Sequence, residues 1–477
     1  MHAIDYAVIT LYLAGVIGVG VYFGRRQTRT DEYFVGDRRM GAGHLGLSVV
    51  ATDVGGGFSI GLGGLGFLMG ISGSWLLFTG LVGAWISAVV MVPRVKALGD
   101  LNGWTTFPEF LEHRFDGRVR LVAAVLSGLG YAAFVGAQIL AGATLASAAF
   151  HVDFQVALWV MAAVVVIYTA LGGLQAVVYT DTVQWVILLA GLLGVALPLA
   201  WIEVGGLEGL RQAVPETHVS FTNLDALETV GWFVTILPIW FVGMTLYQRI
   251  YAARDVRTAK RAWYLAGLLE YPLMAFAGAG LGLMARALYP EIPAEQAETA
   301  LPTLLRNVMP VGAAGLVIAA YFSAIMSTAD SCLLASTGNV VEDLYKRHVR
   351  PDAPDRRILG LSRWLTLAIG LASVSVAVLV PRVLDAVLLS YTFMVSGLFV
   401  PTLAALFWKR ATPNGALAAA LAGGIVGVGL ELFPAADPVG QPLLLAFPAS
   451  LAALVAVSFW RRQQDNQGQP SRGRDRI

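Results

Sequence analysis

The chain has 477 residues, 57% hydrophobic and only 13% charged, with a net charge of +1 and a single cysteine, Cys332. A soluble domain carries roughly a quarter of its residues as charges, so this composition excludes a water-soluble globular protein. The near-zero net charge gives no footprint for nucleic acid, and one cysteine excludes an intrachain disulfide framework.

Apolar runs of about 20 residues, the length that crosses a hydrocarbon core, recur from end to end. In chain order they predict thirteen transmembrane helices near 5–24, 43–70, 73–96, 119–149, 154–172, 174–203, 231–250, 262–288, 301–341, 358–380, 383–408, 414–434 and 441–460. The N-terminus lacks a basic region followed by a small-residue cleavage site, so the first helix is read as retained. Positive charge tests the count, because cytoplasmic loops carry the excess of Lys and Arg. Arg25, Arg26, Arg29, Arg38 and Arg39 follow the first helix, and Arg94, Lys96, Arg114, Arg118 and Arg120 surround the third connection. Arg249, Arg254, Arg257, Lys260 and Arg261 form a third cluster, and Lys346, Arg347, Arg350, Arg356 and Arg357 a fourth. The loops between are acidic or uncharged, so thirteen spans place the N-terminus outside and the C-terminus in the cytoplasm. The polar tail, 463–477, reads as disordered. No loop is long enough for a soluble domain, and the six histidines fall at helix ends or in loops, so no enzyme is expected.

Two helices are interrupted. In the second, "VVATDVGGGFSIG" (49–61) places Asp53 in an apolar run and follows it with Gly55, Gly56 and Gly57. Glycine costs about 1 kcal/mol against alanine in a helix and proline about 3, and freed backbone in a membrane must face protein or a water-lined cavity. The glycines at 61, 63, 64 and 66 read instead as close-packing residues. The seventh helix, "WFVTILPIWFVGMTLYQR", is interrupted by Pro238 and Gly243. An odd separation of five helices inverts the second unit relative to the first, and interrupted helices at matching places in inverted halves point to a transporter's midplane site. An aspartate at mid-bilayer costs about 2.5–3.5 kcal/mol, so Asp53 is expected to face a cavity or a cation. Two more stretches stand out. "GGLQAVVYTDTVQWVILL" (172–189) puts Asp181 inside a helix, and "YFSAIMSTADSCLLASTGNVVEDLY" (321–345) carries Ser323, Ser327, Thr328, Asp330 and Ser331 over about three turns. Those hydroxyls are read equally as ligands of a hard cation or as hydrogen bonds between helices.

At these residues the chain resembles the sodium/solute symporter family, through "DEYFVGDRRMG", "GGLQAVVYTDTVQ", "YQRIYAARD" and "MSTADSCLLAS" in the family's order. The resemblance implies an all-α integral membrane fold with an inverted five-helix repeat, as in a bacterial leucine transporter. The organisation is then a leading helix and loop (1–42), a first repeat (43–203), an extracellular loop (204–230), a second repeat (231–408), two trailing helices (409–462) and the tail. It implies sodium as the coupling ion, held by backbone carbonyls of Ala51, Val54 and Ala324 and the hydroxyls of Ser327 and Thr328. Asp181, Asp330 and Ser331 mark a possible second sodium or proton site, leaving the stoichiometry open. Sodium–sugar members carry asparagine at Asp53, glutamine at Phe58, tyrosine at Ile239 and lysine at Glu270, so a sugar is not expected.

Asp53 and Glu270 favour a solute bearing positive charge, with Gln138, Trp240 and Phe58 as further lining groups and the amides near Gly55, Gly56 and Gly57 for a carboxylate. The expected function is sodium-coupled uptake of an amino acid or related zwitterion such as proline across the bacterial inner membrane. The alternatives are uptake of a choline-like cation or a carboxylate, coupled to sodium or protons, and a transporter-like sensor. A channel fits less well, since one chain lacks the symmetry of a selectivity ring.

Overall fold

The computed structural model describes residues 2–24, 35 and 38–467. Among them the chain is helical, with one isolated bridge between Met40 and Ala253. Helix α1 (Ala3–Gly24) precedes a broken pair, α2 (Ala42–Asp53) and α3 (Gly55–Met69). After a 3-10 turn come α4 (Trp75–Val90), α5 (Val92–Asn102), α6 (Phe107–Arg114), α7 (Gly117–Phe150) and α8 (Phe154–Gly191). A π turn at Leu192–Ala196 carries α8 into α9 (Leu197–Val204), and α10 (Gly206–Ala213) lies in the connection that follows. The second broken pair is α11 (Ala226–Val242) and α12 (Met244–Ala252). Then come α13 (Val256–Leu268), a π segment at Leu269–Met274, α14 (Ala275–Leu288) and α15 (Ala300–Val308). Last are α16 (Ala313–Gly338) with a π-wound extension to Lys346, α17 (Asp355–Leu379), α18 (Val383–Phe407), α19 (Pro413–Leu432) and α20 (Pro442–Gln467). Among the described residues, nine helical stretches are long and apolar enough to cross a membrane, or ten if α11 and α12, bent by 40°, form one span.

Local chemistry sets many helix starts. Asp116, Asp153, Asp225 and Asp255 each accept backbone amides of the following first turn, the N-cap that satisfies otherwise orphaned donors. Thr106 and Glu109 form a reciprocal capping box at α6. Helix α16 is the axle: 94% of its most apolar window is buried, against 28% for α20. It packs on α1, α2, α3, α7, α8 and α12, so both broken pairs meet it. On one side, α13 and α14 lie along α2 and α3 respectively.

Several boundaries differ from the sequence reading. Residues 154–191 form one helical run, although the sequence reading ends one span at 172 and starts the next at 174. Gly172 and Gly173 weaken a helix but still supply its backbone hydrogen bonds, so they need not end it. The expected span 301–341 splits at 309–312, where Pro310 has no amide and Gly312 takes φ +85°. In the seventh expected helix Pro238 sits inside α11, and the break is at Gly243 alone. There Tyr131 of α7 accepts the freed amide of Thr245 at 3.2 Å, so the bend has a partner. Helix α20 extends to Gln467, past the expected start of the tail; 468–477 lie outside the described residues, as do Arg25, Arg26 and Arg29.

Candidate functional site at the broken helices

The break between α2 and α3 is at Val54, and Gly55 takes φ +43°. A Cβ on Gly55 would lie 2.1 Å from the Thr328 Oγ1, so only glycine lets the break approach α16 this closely. That contact assembles oxygens. The Thr328 Oγ1 lies 2.8 Å from the Ala51 carbonyl at the end of α2 and 3.1 Å from the Ala324 carbonyl one turn back. The Ser327 Oγ lies 3.4 Å from the same Ala324 carbonyl. A hydroxyl has one hydrogen, so Thr328 serves only one carbonyl at a time and the cluster is rich in acceptors. Neutral oxygens in excess of donors suit a hard cation. The structure thus brings together Ala51, Ala324, Ser327 and Thr328, with Val54 at the break itself.

Beside this cluster lies a group the sequence reading misplaced. Arg249, assigned there to a cytoplasmic basic loop, is fully buried on α12. Its Nη2 donates to Ser331 Oγ at 2.9 Å and to Thr52, its Nε donates to Ser48 Oγ at 3.0 Å, and its Nη1 donates to the Thr245 carbonyl at 3.2 Å. Nη2 also lies 3.7 Å from Asp181 Oδ2, which accepts the Ser48 hydroxyl at 2.5 Å. Asp330 is buried within this field, and neither of its oxygens has a hydrogen-bond partner. The three residues expected at a second ion position, Asp181, Asp330 and Ser331, therefore gather around a guanidinium. The signal was present: two acids inside helices call for a countercharge, and Arg249 lies in the interrupted helix.

On the other side of the break, Asp53 ends α2 and is 6% exposed. Tyr391 of α18 donates to its Oδ1 at 3.4 Å, and the Glu270 carboxyl faces it. Glu270 is fully buried in the π segment before α14, without a hydrogen-bond donor on either oxygen. Space for it comes from α4: a Cβ on Gly80 would sit 1.9 Å from Glu270 Oε1, and one on Gly83 2.5 Å from the Trp240 ring. Gly55, Gly56 and Gly57 open α3, but the Gly57 amide is already held by Gln138 Oε1 at 3.0 Å. Of the amides near Gly55, Gly56 and Gly57 expected to meet a carboxylate, that of Gly57 is thus paired within the protein. Gln138 Nε2 and Trp240 Nε1 are buried without partners. Phe58 packs on Tyr391, with ring centroids 5.9 Å apart. Tyr391 and Tyr131 escaped the sequence reading, since a lone tyrosine in an apolar helix reads as core.

A sequence profile of the sodium:solute symporter family matches residues 33–423. The chain belongs to that family. This symporter is 30% identical over 454 residues to the high-affinity proline transporter of Bacillus subtilis, covering 92% of this chain and 94% of the relative. It is 29% identical over 435 residues to the sodium/proline symporter of Escherichia coli, covering 87% and 85%. Against sodium/myo-inositol cotransporter 2 of Mus musculus the identity is 28% over 476 residues, covering 90% and 70%. Its fold is similar to that of a sodium-coupled sialic acid symporter solved substrate-bound and outward-open, with a TM-score of 0.81 over 96% of this chain and 98% of that one at 22% identity. The family makes this symporter a membrane transporter, not an enzyme.

Proposed function

We propose that the chain carries a small organic zwitterion, an amino acid of the proline type, into the cell together with sodium by alternating access. The observation that carries this reading is the pair of oxygen-lined and polar clusters on either side of the α2–α3 break. Sodium would be held by the Ala51, Val54 and Ala324 carbonyls with Ser327 and Thr328, where Thr328 already bridges α2 and α16. The solute's ammonium would meet Asp53 and Glu270. Its carboxylate would meet the Gln138 amide and the remaining amides at the start of α3. Trp240 and Phe58 would supply apolar walls. The similarity to proline transporters supports the solute class.

The topology that suits this reading counts the long helical run 154–204 as two of thirteen spans in the bacterial inner membrane, N-terminus outside, with 43–203 and 231–408 as inverted repeats. Broken helices in both halves then rock against α16 and its neighbours, and sodium acts by binding outward and inward states unequally. The second carboxyl, Glu270, also suits a choline-like cation.

The test is tryptophan fluorescence of the protein in liposomes against amino acids, choline, betaine, sugars and carboxylates, each in sodium and in potassium. A sodium-dependent response to proline or a related amino acid, lost in Ser327→Ala/Thr328→Ala, supports the reading. A response indifferent to sodium refutes the coupling, and one confined to choline replaces the solute.

A further inference from the structure

We propose that the facing carboxyls of Asp53 and Glu270 hold one proton between them in the empty symporter and exchange it for a solute ammonium that brings two N–H donors. The exchange rests on the zwitterion reading above and deepens it: the solute must carry N–H groups, and its binding releases a proton.

Glu270 is fully buried, Asp53 is 6% exposed, and the two carboxyls face each other. Among the described residues, the one further donor that reaches the pair is the Tyr391 hydroxyl, 3.4 Å from Asp53 Oδ1, and neither Glu270 oxygen has a donor of its own. On the α4 side Gly80 presents bare backbone, where a Cβ would lie 1.9 Å from Glu270 Oε1. Two ionised carboxyls in contact and out of water repel each other, and one shared proton turns that repulsion into an O–H···O hydrogen bond.

Among the described residues, no cation is placed to take the proton's part. The ionisable groups that face the pair are Tyr391, Tyr131 and Cys332, all uncharged at neutral pH. Helix α4, which packs on the π segment, has no charged side chain from Trp75 to Val90. Arg257, Lys260 and Arg261 of α13 and Arg286 of α14 lie about two turns or more from Glu270 along their helices. Arg249 is engaged by Ser48, Thr52 and Ser331.

The exchange conserves charge. With its proton the pair carries one negative charge. An ammonium in the proton's place leaves two carboxylates and one positive charge, so the buried total is the same. The O–H···O bond breaks, the proton passes to the water that admits the solute, and two N–H···O bonds form, one to each carboxyl. An ammonium with two hydrogens, such as that of proline, bridges both acids. One with a single hydrogen reaches only one of them, and a quaternary nitrogen has no donor for either.

The experiment counts protons during binding to the purified protein in nanodiscs, in weakly buffered sodium medium with a pH indicator. Tryptophan fluorescence gives occupancy by proline, N-methylproline and N,N-dimethylproline. Proline is expected to release close to one proton per site. Its Kd should fall about tenfold per pH unit across neutral pH, the slope of one linked proton, because raising the pH strips the pair for the solute. N-methylproline should bind about tenfold more weakly or worse, for want of one charge-assisted hydrogen bond, and N,N-dimethylproline should release no proton. In Glu270→Gln, proline is expected to bind more weakly, with no proton released. Proline binding without proton release in the wild type overturns the proposal and leaves the solute reading standing. Release that persists in Glu270→Gln overturns it too, and a site that takes choline but not proline overturns both. Should Glu270→Gln fail to reach the membrane, the wild-type proton count and the methylated series still decide.

Discussion

Gly55 is a position where one methyl group separates two states of the site. Its positive φ costs an L-residue about 1–2 kcal/mol, and a Cβ there would drive into the Thr328 hydroxyl. Gly55→Ala is therefore expected to weaken sodium at least tenfold, read as the sodium concentration for half-maximal fluorescence change. Glu270 predicts a different pattern. Glu270→Gln keeps the shape but removes one of two facing carboxyls, and a charge-assisted hydrogen bond is worth about 1.5–3 kcal/mol. The KM for a zwitterion should rise roughly ten- to hundredfold with sodium affinity unchanged; equal loss of both would place Glu270 in the structure rather than at the solute. The triple glycine beside Asp53 was legible in sequence because it weakens the helix at the very place where an intramembrane acid needs polar company. The Ala51 and Ala324 carbonyls had no such mark, since any residue has a carbonyl, and only the family resemblance pointed to them.

At the scale of elements, the starts of helices are written in side chains, and of the two breaks the one at Gly55 is marked more clearly than the one at Gly243. Asp116 shows how firmly a start is held. Burial pushes its carboxyl up, but the Arg118 guanidinium and the amides of Val119 and Arg118 outweigh that and hold it below its ordinary value. A depressed carboxyl contributes stability above its unfolded pKa and loses it as pH falls through the folded value. The first turn of α7 should thus stay protected at neutral pH and fray only in acid below about pH 4, read by hydrogen exchange at Arg118 and Val119. Asp116→Ala should cost about 1 kcal/mol and remove that acid dependence. The bend between α11 and α12 was harder to place, because Pro238 looked the stronger breaker. Gly243 bends instead, where Tyr131 of a distant helix receives the amide of Thr245. Such a partner is invisible in local sequence. Arg249 was hidden for a related reason: a charge near the end of an apolar run reads as a loop residue until the acids that surround it are known.

For the whole molecule, sodium is both fuel and clasp. A charge crossing about 100 mV gains about 2.3 kcal/mol, and a tenfold gradient adds about 1.4, so one sodium supports accumulation of a neutral solute by several hundred-fold, on the order of 10²–10³. A ligand that bridges α2 and α16 must also hold them together. Sodium at a hundredfold excess over its Kd should add about 2.7 kcal/mol to the resistance against unfolding. The check is thermal inactivation in sodium against potassium at equal ionic strength, with the difference absent in Thr328→Ala. The all-helical membrane class was plain from composition, because apolar runs of spanning length satisfy their backbone in lipid only as helices. The fine boundaries were not, since α8 runs through its glycines and Gly312 splits what looked like one span.

Asp5, near the start of α1, is buried, and its Oδ1 accepts the amides of Gly312 at 2.7 Å and Gly315 at 3.0 Å at the start of α16. Those partners lie 307 and 310 residues downstream. A ribosome adding about 5–20 residues per second needs roughly 15–60 s to reach them. Until then the acid of the first helix has only the local amide of His2, on its Oδ2 at 2.8 Å, and is poorly suited to lipid. Helix α1 packs on α8 as well as on α16, but its acid waits for α16, so a newborn chain passes through a period in which this segment is held by apolar contact while its polar fastening is still missing.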